Sequence, residues 1–186
     1  MSKEINTLVL SRFRPDRLAG GAALRNWQNI QGLAKLGPVD VVSLGDEDGE
    51  NPATDLDGVR DWKHFEMAAL ADSGNARRSG SWVLEPGTHP SISRYEKKAV
   101  VDWIEGRLSS FDYDYALIEE LSLARYIPIF RKAGVRVIFD AHNVEATLRA
   151  EMAKASDQDD VPLRKRLRSW LLARRLMEEE RRAVTQ

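Results

Sequence analysis

The sequence predicts an α/β fold, an open parallel sheet with helices on both faces. Two observations lead to this prediction. Short apolar runs without amphipathic alternation, typical of strands buried on both faces, recur along the chain. Between the first two runs, residues 6–11 and 39–44, apolar side chains stand at helical spacing. Strand, helix and strand within about 40 residues form a βαβ unit, whose crossover joins parallel strands.

The first half of the chain supplies three strands. The run at 6–11 (NTLVLS) is followed by a loop with Pro15 and the diglycine Gly20–Gly21, and then by a helix over about 22–36. Gly37 and Pro38 stop that helix before the second strand, 39–44. An acidic, turn-rich stretch leads to residues 60–67, which could form a short edge strand.

A long connection and a helix come next. Residues 71–91 are rich in Gly, Ser, Asn and Pro, and a connection of this length in a compact domain is typical either of a functional loop or of a poorly ordered segment, so a mobile loop is expected. From Ile92, apolar side chains four or five positions apart predict a helix that lays one face on the sheet: Tyr95, Ala99, Trp103 and Leu108.

The second half of the chain continues the alternation of predicted strands and helices. Residues 113–118 and 135–139 read as strands, separated by a helical segment at 121–133 that Pro128 should bend or split and Gly134 should end. The remainder, 144–186, reads as helix, interrupted at 156–162 by an acidic stretch and a proline.

The composition narrows the class of protein. The 186 residues suffice for one domain, 1–186, and 28 basic against 29 acidic residues give no overall attraction to nucleic acid. Without cysteine there is neither a disulfide nor a thiolate metal site. The polar start, Met1-Ser2-Lys3-Glu4, lacks the apolar core of a signal peptide, which favours a cytoplasmic location. No uncharged apolar run approaches the roughly 20 residues that span a bilayer.

Three groups of polar residues follow predicted strands, where ligands bind in parallel sheets. Gly20 and Gly21 could let backbone N–H groups approach a phosphate, although a tight turn into a helix is the favoured interpretation. The adjacent carboxylates Glu119 and Glu120 could accept hydrogen bonds from sugar hydroxyls, but a solvated surface is favoured. For the third group, function is favoured, because its donors and acceptors suit a polyhydroxyl ligand: Asp140, His142 and Asn143.

Other candidates are weaker. His64 and His89 are expected on the surface or in loops, and three scattered histidines form no metal site. The chain has no GxSxG elbow, no GxGxxG and no Walker sequence. The basic segment 163–182 carries Arg174, Glu178 and Arg182 four positions apart, as in a solvated helix. Its alternative is contact of this Trp-bearing amphipathic helix with an anionic membrane, at the inner face, or with an acidic partner.

Three motifs together resemble a known family. They are Pro15 with Gly20–Gly21 and Arg25, the segment 115–126 (YALIEELSLARY), and 139–145 (FDAHNVE). Their order and spacing are similar to the N-terminal domain of family-four retaining glycosyltransferases, which is one Rossmann-like half of a GT-B fold. The tail is similar too, with Glu180 and Ala183 on a helix that leads into the next strand of that family.

The resemblance implies transfer of a sugar from a nucleotide-diphosphate donor to a carbohydrate or lipid-linked acceptor, with neither cofactor nor metal. It places Gly20 and Gly21 against the donor diphosphate and His142 near the reaction centre as the catalytic residue. Its substrate-binding residues are Arg25, Glu119, Glu120, Asp140 and Asn143, of which Glu119, Glu120 and Asn143 are placed on the acceptor side.

The chain also departs from the family pattern. Donor binding there needs a second, C-terminal domain with two glutamates eight positions apart, and no two glutamates here have that separation. We therefore expect these residues alone not to transfer sugar, since half of the site is missing. The alternative from another class is a non-catalytic, Rossmann-like module that binds a ligand or a protein. An oxidoreductase half is disfavoured by the missing dinucleotide fingerprint.

Overall fold

The computed structural model describes residues 4–18, 20–45, 57–67, 89–141 and 163–185. The strands are β1 (Thr7–Ser11), β2 (Val39–Gly45), β3 (Val59–Glu66), β4 (Tyr115–Glu119) and β5 (Arg136–Asp140). The helices are α1 (Ala22–Ala34), α2 (Pro90–Ser93), α3 (Lys98–Ser110), α4 (Ile127–Lys132) and α5 (Leu163–Thr185), and a 3-10 helix, Leu121–Tyr126, directly precedes α4.

All five strands are parallel and form one sheet in the order β3-β2-β1-β4-β5. This is a Rossmann-like arrangement, which confirms the predicted fold class. The chain first moves outward from β1 to β3 and then crosses back to place β4 on the other side of β1. Strand order therefore reverses between β1 and β4.

The sheet is covered on both faces, which explains why its central strands lack an exposed alternation. Along β1, Leu8 and Leu10 belong to one apolar cluster while Val9 belongs to another. The cluster of Val9 includes Ile30 of α1. The cluster of Leu8 holds residues of α3, the 3-10 helix, α4 and α5. Successive side chains of a strand point to opposite faces, so helices pack on both sides.

Two helical predictions need correction. The helix expected from Ile92 onward is two helices, α2 and α3, because the chain breaks between Ser93 and Lys98. There the hydroxyl of Tyr126 accepts a hydrogen bond from the Lys97 N–H at 3.1 Å, which satisfies a backbone donor at the break. Within α3, Val100 and Ile104 are buried, while Trp103 and Leu108 of the expected face are only partly buried against the core and Ala99 is exposed.

The prediction of a helix split at Pro128 is confirmed, and the split has a definite form. Residues 121–126 make a 3-10 helix, and Pro128 lies in the first turn of α4. Proline is tolerated there, because the first N–H groups of a helix have no partner within the helix. The predicted edge strand at 60–67 is also confirmed as β3, and Gly134, with φ 79°, follows α4.

A cluster of buried charged residues connects the amino ends of β2 and β3 with α3. Asp40 of β2 is fully buried, and Arg60 of β3 donates to both of its carboxyl oxygens, at 3.0 and 2.6 Å. Arg107 of α3 lies 2.8 Å from the same carboxylate, and the hydroxyl of Tyr113 donates to it. Burial raises the pKa of Tyr113 to about 12, so this hydroxyl remains a donor. The cluster ties α3 to the sheet.

The last helix, α5, packs on the 3-10 helix through Leu176, Glu179 and Ala183, which are all buried. Arg125 of the 3-10 helix donates to the Glu179 carboxylate at 2.6 Å. In the described part of the chain, no helix has both the length and the hydropathy that crossing a bilayer requires.

Candidate functional site

Strand order reverses between β1 and β4, and open α/β sheets bind their ligands outside the carboxyl ends of the strands at such a reversal. Polar residues surround this point. Ser11 ends β1, Glu119 ends β4 and Asp140 ends the neighbouring β5. Helix α1 follows the β1 connection and contributes Asn26 and Asn29.

A carboxylate pair bridged by an amide forms the centre of the site. Glu119 and Asp140 are register partners on adjacent parallel strands. The Nδ2 atom of Asn29 lies 3.0 Å from Oε1 of Glu119 and 3.4 Å from Oδ2 of Asp140. One amide therefore donates to both carboxyl groups and holds them close together despite their like charges.

Glu119 is an acid with an altered proton affinity. Its side chain is fully buried. The pKa of Glu119 is raised to about 7, mainly by burial. The nearby carboxylates of Asp140 and Glu120 add to this rise, and hydrogen bonds with Asn29 and Ser11 oppose it. Near neutral pH the group therefore exists both as a carboxylate, which only accepts hydrogen bonds, and as a protonated carboxyl group, which also donates one.

Glu120, which lies beside the carboxylate pair, has a strained backbone conformation. With φ 81° and ψ 149° it occupies a region that is populated almost only by glycine, at a cost on the order of 1–3 kcal/mol. Its N–H donates to the carbonyl oxygen of Asp140 at 3.0 Å. Its carboxylate lies 3.2 Å from Nη1 of Arg12, whose Nε donates to the hydroxyl of Tyr95 at 3.0 Å. These contacts fix the strained residue.

At this site two buried polar atoms have no hydrogen-bond partner among the described residues, Oδ1 of Asn26 and Oε2 of Glu119. Both side chains flank Ser11, since Asn26 donates to the Ser11 hydroxyl and Glu119 ends the strand beside it. Buried polar groups in native proteins nearly always have a hydrogen-bond partner. These atoms are therefore candidates for contact with a ligand or with water.

The turn between β1 and α1 is open at its glycines. Gly21 has φ 63°, a left-handed conformation that glycine adopts without strain. A Cβ atom built at Gly20 or Gly21 would meet no atom within 4 Å. The first turn of α1 has no acidic side chain and no side-chain cap, so its N–H groups are available to an anion.

The predicted site residues have different outcomes. Glu119 and Glu120 are buried, so the favoured interpretation of a solvated surface was wrong: the strand end lies under α1 and the 3-10 helix. The structure brings both together with Asp140. Arg25 lies exposed in the first turn of α1. His142 and Asn143 lie outside the described residues, as do positions 71–88 of the predicted loop.

The two other histidines were expected on the surface or in loops; His89 does lie in a connection but is buried, whereas His64 lies on a strand. His89 is 3% exposed, and its carbonyl oxygen accepts the first hydrogen bonds of α2. His64 is half-buried on β3, with Nδ1 2.8 Å from the hydroxyl of Ser43. Trp62 donates to that same hydroxyl, so the group cross-links β2 and β3.

Sequence reasoning missed four contributors to the site: Arg12, Tyr95, Asn26 and Asn29. For Asn26, the helical spacing in the sequence could have predicted a buried position. Asn26 stands four positions before Ile30 and so shares its face of α1, and a polar residue on an apolar helix face needs a partner. Arg12 and Tyr95 had no such signal, because 83 positions separate them.

Among the described residues, no group of three or more His, Cys, Asp or Glu side chains could hold a metal ion. Comparison with family models, with curated proteins and with solved structures finds no match for this chain.

Proposed function

We propose that this chain is the acceptor-side domain of a retaining glycosyltransferase that uses a nucleotide-diphosphate sugar. The observation that carries the proposal is the amide-bridged pair of Glu119 and Asp140 at the reversal of strand order, close to an open glycine turn. The resemblance of the three sequence motifs points to the same class.

The site chemistry suits a polyhydroxyl ligand. Carboxylates and amides are bidentate partners for neighbouring sugar hydroxyls, which both donate and accept. Oε2 of Glu119 and Oδ1 of Asn26 would gain hydrogen bonds from such a ligand, which removes the cost of leaving them unpaired. Asp140, which is partly exposed, would make the first contact with an incoming ligand.

The glycine turn suits the donor diphosphate. Because Gly20 and Gly21 carry no side chain, a phosphate can approach the N–H groups at the start of α1, where the helix dipole favours negative charge. The diphosphate would then lie about one and a half helical turns from Asn26, within reach of a sugar that contacts the carboxylate pair.

Substitution of Gly20 tests the donor side. The Cβ atom that Gly20→Leu adds meets no atom within 4 Å, and the position requires no positive φ, so the fold should be retained while the turn is covered. We expect affinity for UDP or for a UDP-sugar, measured by ligand-observed NMR, to fall roughly tenfold or more. The matched control is Gly32→Leu, at an equally open position within α1, away from the turn.

Substitution of Asp140 tests the acceptor side. Asp140→Asn should weaken binding of saccharides without affecting UDP. Loss of both kinds of binding in both variants would indicate misfolding, which circular dichroism detects. If the wild-type chain binds neither a nucleotide nor a saccharide, the proposal fails.

A transfer assay separates the enzyme half from a binding module. We expect no transfer of radiolabelled sugar by this chain alone, because orientation of donor and acceptor needs a second domain. Turnover by these 186 residues would contradict the assignment as one half. Tight saccharide binding without any nucleotide binding would favour the non-catalytic module instead.

A further inference from the structure

The outer face of α5 carries an exposed apolar stripe. Trp170, Met177 and Val184 are 56%, 51% and 75% exposed, and they stand seven positions apart. Residues at this spacing drift by only about 20° per repeat around a helix, so the three side chains form a single row. The row points away from Leu176 and Ala183, which anchor the helix to the body.

Arginines border this row. Arg174 and Arg181 each follow a residue of the stripe by four positions, so they are neighbours of it on the helix surface. The Arg174 guanidinium lies 5.7 Å from the centre of the Trp170 ring. No carboxylate of the described residues pairs with either arginine, whereas Glu178 pairs with Arg182 and Glu179 pairs with Arg125. The stripe therefore has a cationic border.

The charge of α5 contrasts with that of the whole chain. Residues 163–185 contain eight arginines and lysines and three glutamates, a net charge of +5, while the chain has a net charge of -1. The positive charge is thus concentrated in one helix. A surface that combines apolar side chains, an interfacial tryptophan and arginines without a carboxylate partner among the described residues complements an anionic lipid surface.

A second copy of the chain fits this face poorly. A helix seam needs apolar residues at two positions of each heptad, a and d. If the stripe occupies the d positions, the a positions hold Arg174 and Arg181. If it occupies the a positions, the d positions hold Ala173 and Glu180. Pairing two such helices would bring like charges together and would bury little apolar surface.

We propose that α5 is a peripheral membrane-binding helix that lies on anionic lipid with Trp170, Met177 and Val184 in the interface and Arg174 and Arg181 on the headgroups. This surface is separate from the carboxyl-edge site, and the proposal does not depend on the transferase assignment. It requires only that the helix face remains open, as its exposed fractions indicate.

Vesicle flotation of the whole chain tests the proposal. We expect the wild type to float with vesicles of mixed phosphatidylcholine and phosphatidylglycerol, but not with phosphatidylcholine alone, and added salt should reduce flotation. Each arginine near an anionic surface raises the partition coefficient about fivefold. The double substitution Arg174→Gln with Arg181→Gln should therefore lower the partition coefficient about 30-fold. Trp170→Ala should lower it about tenfold.

The matched control removes two positive charges elsewhere. Lys35 and Arg131 are exposed at the ends of α1 and α4, and Lys35→Gln with Arg131→Gln should change partitioning much less. Circular dichroism verifies that every variant is folded. Equal flotation with neutral vesicles, an equal loss in the control or no flotation overturns the proposal. So does a dimer in sedimentation analysis that Trp170→Glu dissociates, because the stripe would then be a protein interface.

Discussion

Among single residues, Glu119 has the largest consequence for how the protein responds to pH. The unfolded carboxyl ionises near 4.5, while burial holds the pKa of the folded group at about 7. Between these two values the folded state binds more protons than the unfolded state. The contribution of Glu119 to the free energy of unfolding is therefore fully present below about pH 4.5. It declines by up to about 3 kcal/mol as the pH rises to about 7.

Replacement of Glu119 by glutamine should remove this dependence. The amide cannot ionise, so Glu119→Gln should be more stable than the wild type above pH 7, and the difference should shrink toward pH 4.5. Urea unfolding at about pH 5 and about pH 8 measures both differences. Glu105→Gln, at an exposed position of α3, is the control. A difference between Glu119→Gln and the wild type that does not vary with pH would contradict the assigned pKa.

At this scale the sequence predicts part of the site. Glu119, Glu120 and Asp140 follow apolar runs, and strand ends in a parallel sheet can be located from such runs. Their burial could not be predicted, because it depends on the packing of α1 and of the 3-10 helix. Arg12 and Tyr95 meet only through the tertiary fold, and Tyr95 stood in the sequence as one apolar position of a helix.

Among the elements, β2, β3 and α3 depend on one buried carboxylate. Burial opposes ionisation of Asp40, yet hydrogen bonds from Arg60, Tyr113 and Arg107 hold its pKa below the usual range. The stability that it contributes is present above its unfolded value of 3.8 and is lost as the pH falls through the folded pKa. The arginines also stack on an aromatic ring, with Arg60 4.0 Å from the centre of Phe111.

Asp40→Asn should destabilise the protein by about 3–5 kcal/mol at neutral pH, because it leaves two arginines without their buried counter-charge. Asp61→Asn is the matched control. Asp61 pairs with Arg107 at 3.2 Å, but its side chain is 44% exposed, so its loss should cost at most about 1 kcal/mol. Chemical denaturation of both variants measures the costs. A similar effect of the two substitutions would mean that burial of Asp40 is unimportant.

The elements themselves were largely predictable, and the exceptions have physical causes. Apolar runs locate four of the five strands, the mixed segment 60–67 is expected as the edge strand, and Pro128 predicts a split helix whose second part begins at Ile127. The break between α2 and α3 was not predictable from periodicity. Its backbone is satisfied by the hydroxyl of Tyr126, which also donates to the Tyr95 carbonyl oxygen at 2.6 Å from a distant part of the chain.

At the scale of the whole molecule, the two apolar clusters share one sheet. Ile30 of α1 and Ile104 of α3 are fully buried on opposite faces. A central strand such as β1 contributes to both clusters, so opening one face removes the support of the other. Folding of the described body should therefore be cooperative.

Ile30→Ala and Ile104→Ala test this cooperativity. Each should cost about 2–5 kcal/mol with an unchanged dependence on denaturant, and the costs should add in the double variant. Tryptophan fluorescence reports on both faces through Trp62 and Trp103, and circular dichroism reports on the helices. Two separate transitions in either variant would show that the faces unfold independently.

The position of β1 has a consequence for synthesis of the protein. Its partners on one side come from residues 39–43, but those on the other side come from Tyr115–Ile118. At roughly 5–20 residues per second, the ribosome needs several seconds to cover that interval. During this time the central strand of the finished sheet is an open edge on the nascent chain. Because an unpaired strand edge can pair with another chain, we expect aggregation of the nascent protein to be most favourable in that interval.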